Sequence, residues 1–103
     1  MQKEKLIAIH DFCMNHNIEI SFISSLQETG LLEITTRDET GFINIEQLSQ
    51  LEKYVRFFYE LDINLEGIET ITHLLHKISA MQDEITALRN RLRFYETNDT
   101  RSV

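Results

Sequence analysis

The chain has 103 residues, 42% of them hydrophobic, and a net charge of −7. That length and apolar content fit one small globular domain and exclude a disordered chain, and no run approaches the ~20 apolar residues of a membrane span. Residues 1–70 hold 13 Asp or Glu against 5 Lys or Arg, and residues 71–103 hold 4 against 5; an acidic globular part opposes phosphate binding and suits a basic partner surface.

The opening MQKEKLIAIHDF has no long apolar stretch and no small-residue cleavage site, so the expected compartment is the cytoplasm. The single Cys13 allows no internal disulfide and fits a reducing environment. Residues 5–9 (KLIAI) read as a short strand or an extended lead-in. Residues 10–16 read as a short helix with Phe12 and Cys13 inward, and Asn17-Ile18 makes a turn. Residues 19–29 read as a second helix, with Ile20, Ile23 and Leu26 at helical spacing. Gly30 stands where a helix end favours positive φ.

Residues 32–36 (LEITT) and 42–45 (FINI) flank the polar RDETG, the pattern of a β-hairpin. Asn44 then caps a helix running to about Leu61, with Gln47 as its capping-box partner. Leu48, Leu51, Val55 and Phe58 form its apolar stripe. Asp62 to Asn64 is a break, and Asn64 is a second N-cap. From Leu65 to about Glu96 nothing stops a helix. Ile71, Ile78, Ile85 and Leu92 take heptad position a, and Leu74, Met81, Leu88 and Tyr95 take d. Ile at a with Leu at d favours two strands. A seam this apolar needs cover, either from a second copy, the simplest choice, or by folding back on its own domain. The flanking pairs Glu84–Arg89 and Arg91–Glu96 suit parallel pairing without excluding antiparallel. The expected organisation is a first domain at 1–64, a dimerisation helix at 65–97 and a flexible tail at 98–103.

Helix, helix, hairpin, helix and a long heptad helix, in that order, resemble a MerR-like winged helix-turn-helix, a mainly α fold with a small β-hairpin wing and a long C-terminal coiled-coil helix. The chain resembles more closely still the CbpM family of chaperone modulatory proteins, over about residues 6–96. The residues that carry this are DFC (11–13), GLLE (30–33) and VRFFYELDINLEGI (55–68), in which Arg56, Glu60, Leu61, Gly67 and Ile68 fit the family spacing. The resemblance implies binding to the J-domain of a CbpA/DnaJ-type co-chaperone and inhibition of its stimulation of DnaK. It also implies a homodimer. MerR-type DNA readers place Arg in the second helix, but Phe22 to Gln27 holds none, and no Lys or Arg lies between Lys5 and Arg37. Arg–guanine readout from that helix is therefore impossible, and DNA binding by the chain alone is not expected. A MerR-type DNA-binding transcription regulator is the alternative reading.

The candidate partner-binding residues are Phe57, set on the polar face of its helix, and the acids Glu52, Glu60, Asp62, Glu66 and Glu69. Phe57 is either an interface anchor or an aromatic covered by another part of the protein. The acids either steer a basic partner or form an ordinary solvated face. Arg56 is placed to pair with Glu52 or Glu60. The candidate dimer seam is Ile71, Leu74, Ile78, Met81, Ile85, Leu88, Leu92 and Tyr95. His10, Cys13 and His16, and the pair His73 and His76, have helical spacing but too few ligands for a metal site. Ser24 and Ser25 have no neighbouring base, and no phosphate-binding glycine motif is present. The expectation is a non-enzyme with no cofactor.

Overall fold

β-branched and apolar residues dominate the two longer extended segments, and a sheet forms from them. In the computed structural model, β1 (Leu6–Ala8), β2 (Thr35–Arg37) and β3 (Thr40–Asn44) make a three-stranded antiparallel sheet in the order β1-β3-β2. Ile7 lies opposite Ile43, and Thr35 opposite Phe42. The structure describes the backbone of residues 5–102 and the side chains of residues 5–96. Within KLIAI, Leu6–Ala8 is thus a strand, and the wing is a hairpin with this third strand added at its free edge. The hairpin is tighter than the sequence suggests: Arg37 pairs with Thr40, so the loop is only Asp38-Glu39. Both take positive φ, 50° and 63°, as a type I′ turn requires.

The helices are α1 (Ile9–His16), α2 (Ile20–Glu28), α3 (Leu48–Val55) and α4 (Leu65–Ser102). α1 and α2 end in the same way. Past α1, Asn17 has φ 54° while the Ile18 amide donates to the Cys13 carbonyl at 3.0 Å. Past α2, Gly30 has φ 82° while the Leu31 amide donates to the Leu26 carbonyl at 3.0 Å. Both are Schellman ends, in which one left-handed residue lets the following amide satisfy an orphan carbonyl. The first fixes the short turn that makes α1 and α2 a helix-turn-helix, and the second turns the chain out of α2 toward the sheet.

The region expected as one helix from 46 to 61 has three parts. A 3-10 turn (Ile45–Gln47) precedes α3, and a π-helical segment (Arg56–Glu60) follows it. Asn44 caps the start by accepting from the Glu46 amide at 2.9 Å. Gln47 does not close a capping box. Its side chain instead bonds both ways with the Glu33 backbone, accepting from the amide at 2.9 Å and donating to the carbonyl at 2.8 Å. The chain between α2 and β2 is pinned to the start of α3 in this way. Asn64 caps α4 as expected, accepting from the Gly67 amide at 2.8 Å. A Cβ on Gly67 would lie 2.7 Å from Ile63 Cγ2, so this glycine admits that side chain of the preceding loop.

The core is built from Phe12, Cys13, Phe22, Ile23, Leu26, Leu32, Ile43, Leu51, Tyr54 and Ile68. α1, α2, the sheet, α3 and the first turn of α4 all contribute to it. Ile23 and Leu26 are inward as the spacing predicts, but Ile20 is not: it is 53% exposed, and Phe22 is buried in its place. The chain divides into two compact units at Glu69/Thr70, within α4. The second unit is the part of α4 from Thr70 onward. Its helix continues to Ser102, past the boundary expected for a tail at 98, and the side chains there lie outside the described residues along with Val103. Among the described residues no helix is long and apolar enough to cross a membrane.

Candidate functional site

In a winged helix-turn-helix, the outward face of the second helix and the wing meet the ligand. On α2 that face is Ser21, Ser24, Gln27 and Glu28, all exposed. The Ser21 hydroxyl donates to the Glu19 carboxylate at 3.2 Å, and the Ser25 hydroxyl donates to the Ser21 carbonyl at 3.0 Å. The wing tip presents Asp38 and Glu39 beside Arg37. The face is polar, with Glu28, Asp38 and Glu39 outnumbering the cation Arg37.

The inward side of α2 is tied to the π segment by aromatic rings. Phe22 stacks on Phe58 with centroids 4.6 Å apart, and Tyr59 meets both rings edge-on at 5.4 and 5.1 Å. Contacts of this kind add roughly 0.5–1.5 kcal/mol each beyond burial. The Tyr59 hydroxyl accepts from the Glu19 amide at 3.2 Å. An incoming helix leaves its first amides without partners, and here a side chain forty positions away satisfies one next to α2. Tyr54 has a similar role deeper in: its hydroxyl donates to the Leu31 carbonyl and accepts from Gln50, both at 3.2 Å. Neither tyrosine was singled out by spacing, because a long-range hydrogen bond has no period to read.

Phe57 is half-buried and packs against the core of its own unit, which agrees with the second of its two readings, an aromatic covered by the protein. The cover comes from its own unit, however, and its place on the polar face does not hold. The cause is the π segment. Its turns are wider than those of an α-helix, and the faces read from a regular wheel stop applying after Val55. The Ile63 amide also donates to the Phe57 carbonyl at 2.9 Å, folding the chain back beside the ring. Glu52, Glu60, Asp62, Glu66 and Glu69 are all exposed. Arg56 pairs with Glu60, Nε to Oε2 3.6 Å, with both side chains mostly in solvent. Its partner is thus Glu60, and such a pair contributes little to stability.

On α4 the heptad seam is open. Leu74, Ile78, Met81, Ile85, Leu88, Leu92 and Tyr95 are 47–58% exposed, while Ile71 is half-buried. Among the described residues the exposed apolar stripe continues for about six turns.

His16 and Cys13 have structural places. His16 stacks on Phe12 with centroids 4.0 Å apart, and its Nδ1 lies 3.1 Å from the Phe12 carbonyl. Cys13 is buried, and burial pushes its thiol pKa above the usual value. His73 and His76 lie exposed on α4. Among the described residues no three His, Cys, Asp or Glu side chains gather as metal ligands do.

The family model described as MerR HTH family regulatory protein matches residues 7–90, from β1 through most of α4. No curated protein matches the chain.

Proposed function

Since the chain belongs to the MerR HTH family of regulatory proteins, we propose that it regulates without catalysis, by binding a protein. The partner is the J-domain of a CbpA/DnaJ-type co-chaperone in the cytoplasm, and the effect is to inhibit that co-chaperone's stimulation of DnaK, as the CbpM resemblance implies. The observation that carries this reading is the outward face of α2: it holds Ser21, Ser24, Gln27 and Glu28, all exposed, and no Lys or Arg. A duplex binder gains most of its affinity from cations placed on phosphates, and an acidic face instead attracts a basic protein surface. The protein acts by occlusion as a homodimer joined through the α4 seam. Isothermal titration of the full-length chain with the J-domain, at two salt concentrations, tests it. Binding that weakens with salt is the expected result, and no binding at either concentration rejects the reading.

The family match itself favours a second reading, a MerR-type DNA-binding transcription regulator. That reading requires sequence-specific duplex binding with a steep salt dependence. Absence of a gel shift at low salt disposes of it.

A further inference from the structure

Two apolar side chains that a core would normally claim stand in solvent beside the aromatic cluster. Ile20, in the first turn of α2, is 53% exposed, and Leu61, just past the π segment, is 60% exposed. Tyr59 connects the two segments that carry them. Its hydroxyl is 3.2 Å from the amide of Glu19, the residue before Ile20, and Leu61 is two residues further on. Tyr59 is itself 39% exposed. Acids border this corner: Glu19 beside Ile20, and Glu60 and Asp62 on either side of Leu61, all exposed. The nearest cation along the chain, Arg56, is engaged with Glu60.

The corner has a fixed shape. The Phe22–Phe58 stack holds α2 against the π segment, Tyr59 packs edge-on against both rings, and the Leu61 amide donates to the Arg56 carbonyl at 3.1 Å. A preformed apolar surface loses little side-chain entropy on binding. Exposed apolar groups rimmed by one sign of charge mark a protein contact, and that sign selects the partner.

We propose that Ile20, Tyr59 and Leu61, bordered by Glu19, Glu60 and Asp62, form the docking surface for a basic amphipathic helix of the partner protein. The helix lays its apolar stripe on the three side chains and its Lys or Arg residues over the acids. This rests on the reading of the chain as a protein-binding regulator, and it moves the apolar anchor from Phe57 to these exposed side chains.

The test is a ¹⁵N–¹H NMR titration of the full-length chain with two probes. One is the J-domain named above. The other is a Leu/Lys helical peptide of about 18 residues, long enough to hold a helix, run beside a peptide of the same composition with its leucines scattered around the helix. The expected result is that amides of Ile20, Tyr59 and Leu61 shift with the J-domain and with the amphipathic peptide. The scattered peptide should bind at least about tenfold more weakly, as should either probe to the double variant Ile20→Ser, Leu61→Ser. Both substituted residues are exposed, and Tyr59 is retained because it caps the approach to α2, so the variant's spectrum should stay dispersed. J-domain shifts confined to another face overturn the docking surface and leave the co-chaperone reading standing. No J-domain shifts, with peptide shifts at the corner, reject the co-chaperone and keep the surface. Equal binding of the two peptides reduces the corner to bulk charge and overturns the proposal.

Discussion

The wing turn offers the sharpest check on the backbone argument. Asp38 and Glu39 hold φ 50° and 63°, and neither is glycine. The left-handed region costs an L-residue roughly 1–2 kcal/mol, less for Asp, whose short side chain bonds locally, and more fully for Glu. Glu39→Gly relieves that strain. It also gives the unfolded chain more freedom, which offsets roughly 0.4–1 kcal/mol of the gain. The net expectation is a stabilisation of about 0.5–1 kcal/mol, or roughly 2–8 °C in Tm for a chain of this size. Thermal unfolding followed by circular dichroism measures it, at one fixed protein concentration because association shifts Tm. Glu39→Ala removes the same charge and keeps the Cβ, so it should leave Tm nearly unchanged. If Glu39→Gly lowers Tm, or if Glu39→Ala raises it equally, the turn is not strained and the argument from φ fails.

Three further expectations concern the scaffold. Leu26→Ala, at a fully buried site of α2, should destabilise by about 2–5 kcal/mol, read from urea unfolding midpoints; a loss under 1 kcal/mol would mean the core is not built around α2. Tyr59→Phe keeps the ring contacts and leaves the Glu19 amide to water, so it should cost about 0.5–1 kcal/mol at this partly exposed site; an unchanged midpoint would show that the bond contributes nothing. The Cys13 thiol is held above its ordinary 9.0 by burial. The folded state keeps its proton where the unfolded state loses it, so its contribution to stability is full below pH 9.0 and falls as pH rises beyond. Cys13→Ala should flatten that alkaline decline in a pH series of unfolding midpoints, and an unaltered slope would assign it to other groups.

What the sequence made readable was local chemistry. Asn44 and Asn64 cap because a short side chain ahead of a helical run has an amide within reach, and Gly30 ends α2 because its position needs positive φ. The α4 heptad could be read residue by residue, since its period survives without tertiary context. What stayed hidden depended on partners far along the chain. Gln47 sits at capping-box spacing, yet its amide group finds the Glu33 backbone and matches it as donor and acceptor together. Ile20 and Phe22 exchange faces because the stacking surface for α2 is Phe58, two residues into a π segment that no pattern of apolar residues announced. What covers Phe57 stayed hidden for the same reason.

That hidden part is also where the acidic character acquires meaning. A DNA reader needs α2 held rigidly and outward, with cations along its exposed side. Here every element that holds α2 is intact: Phe22, Ile23 and Leu26 are inward, the Schellman ends are formed, and the Glu19 amide is satisfied by Tyr59. Only the outward residues differ from a reader's needs, and those are the positions where changes cost stability least. The same rigidity that would aim arginines at base edges instead holds Ile20, Tyr59 and Leu61 among carboxylates. A change of ligand class from phosphate to basic protein therefore requires no change of fold. It needs only that the surface charge be reversed while the packing beneath it is kept.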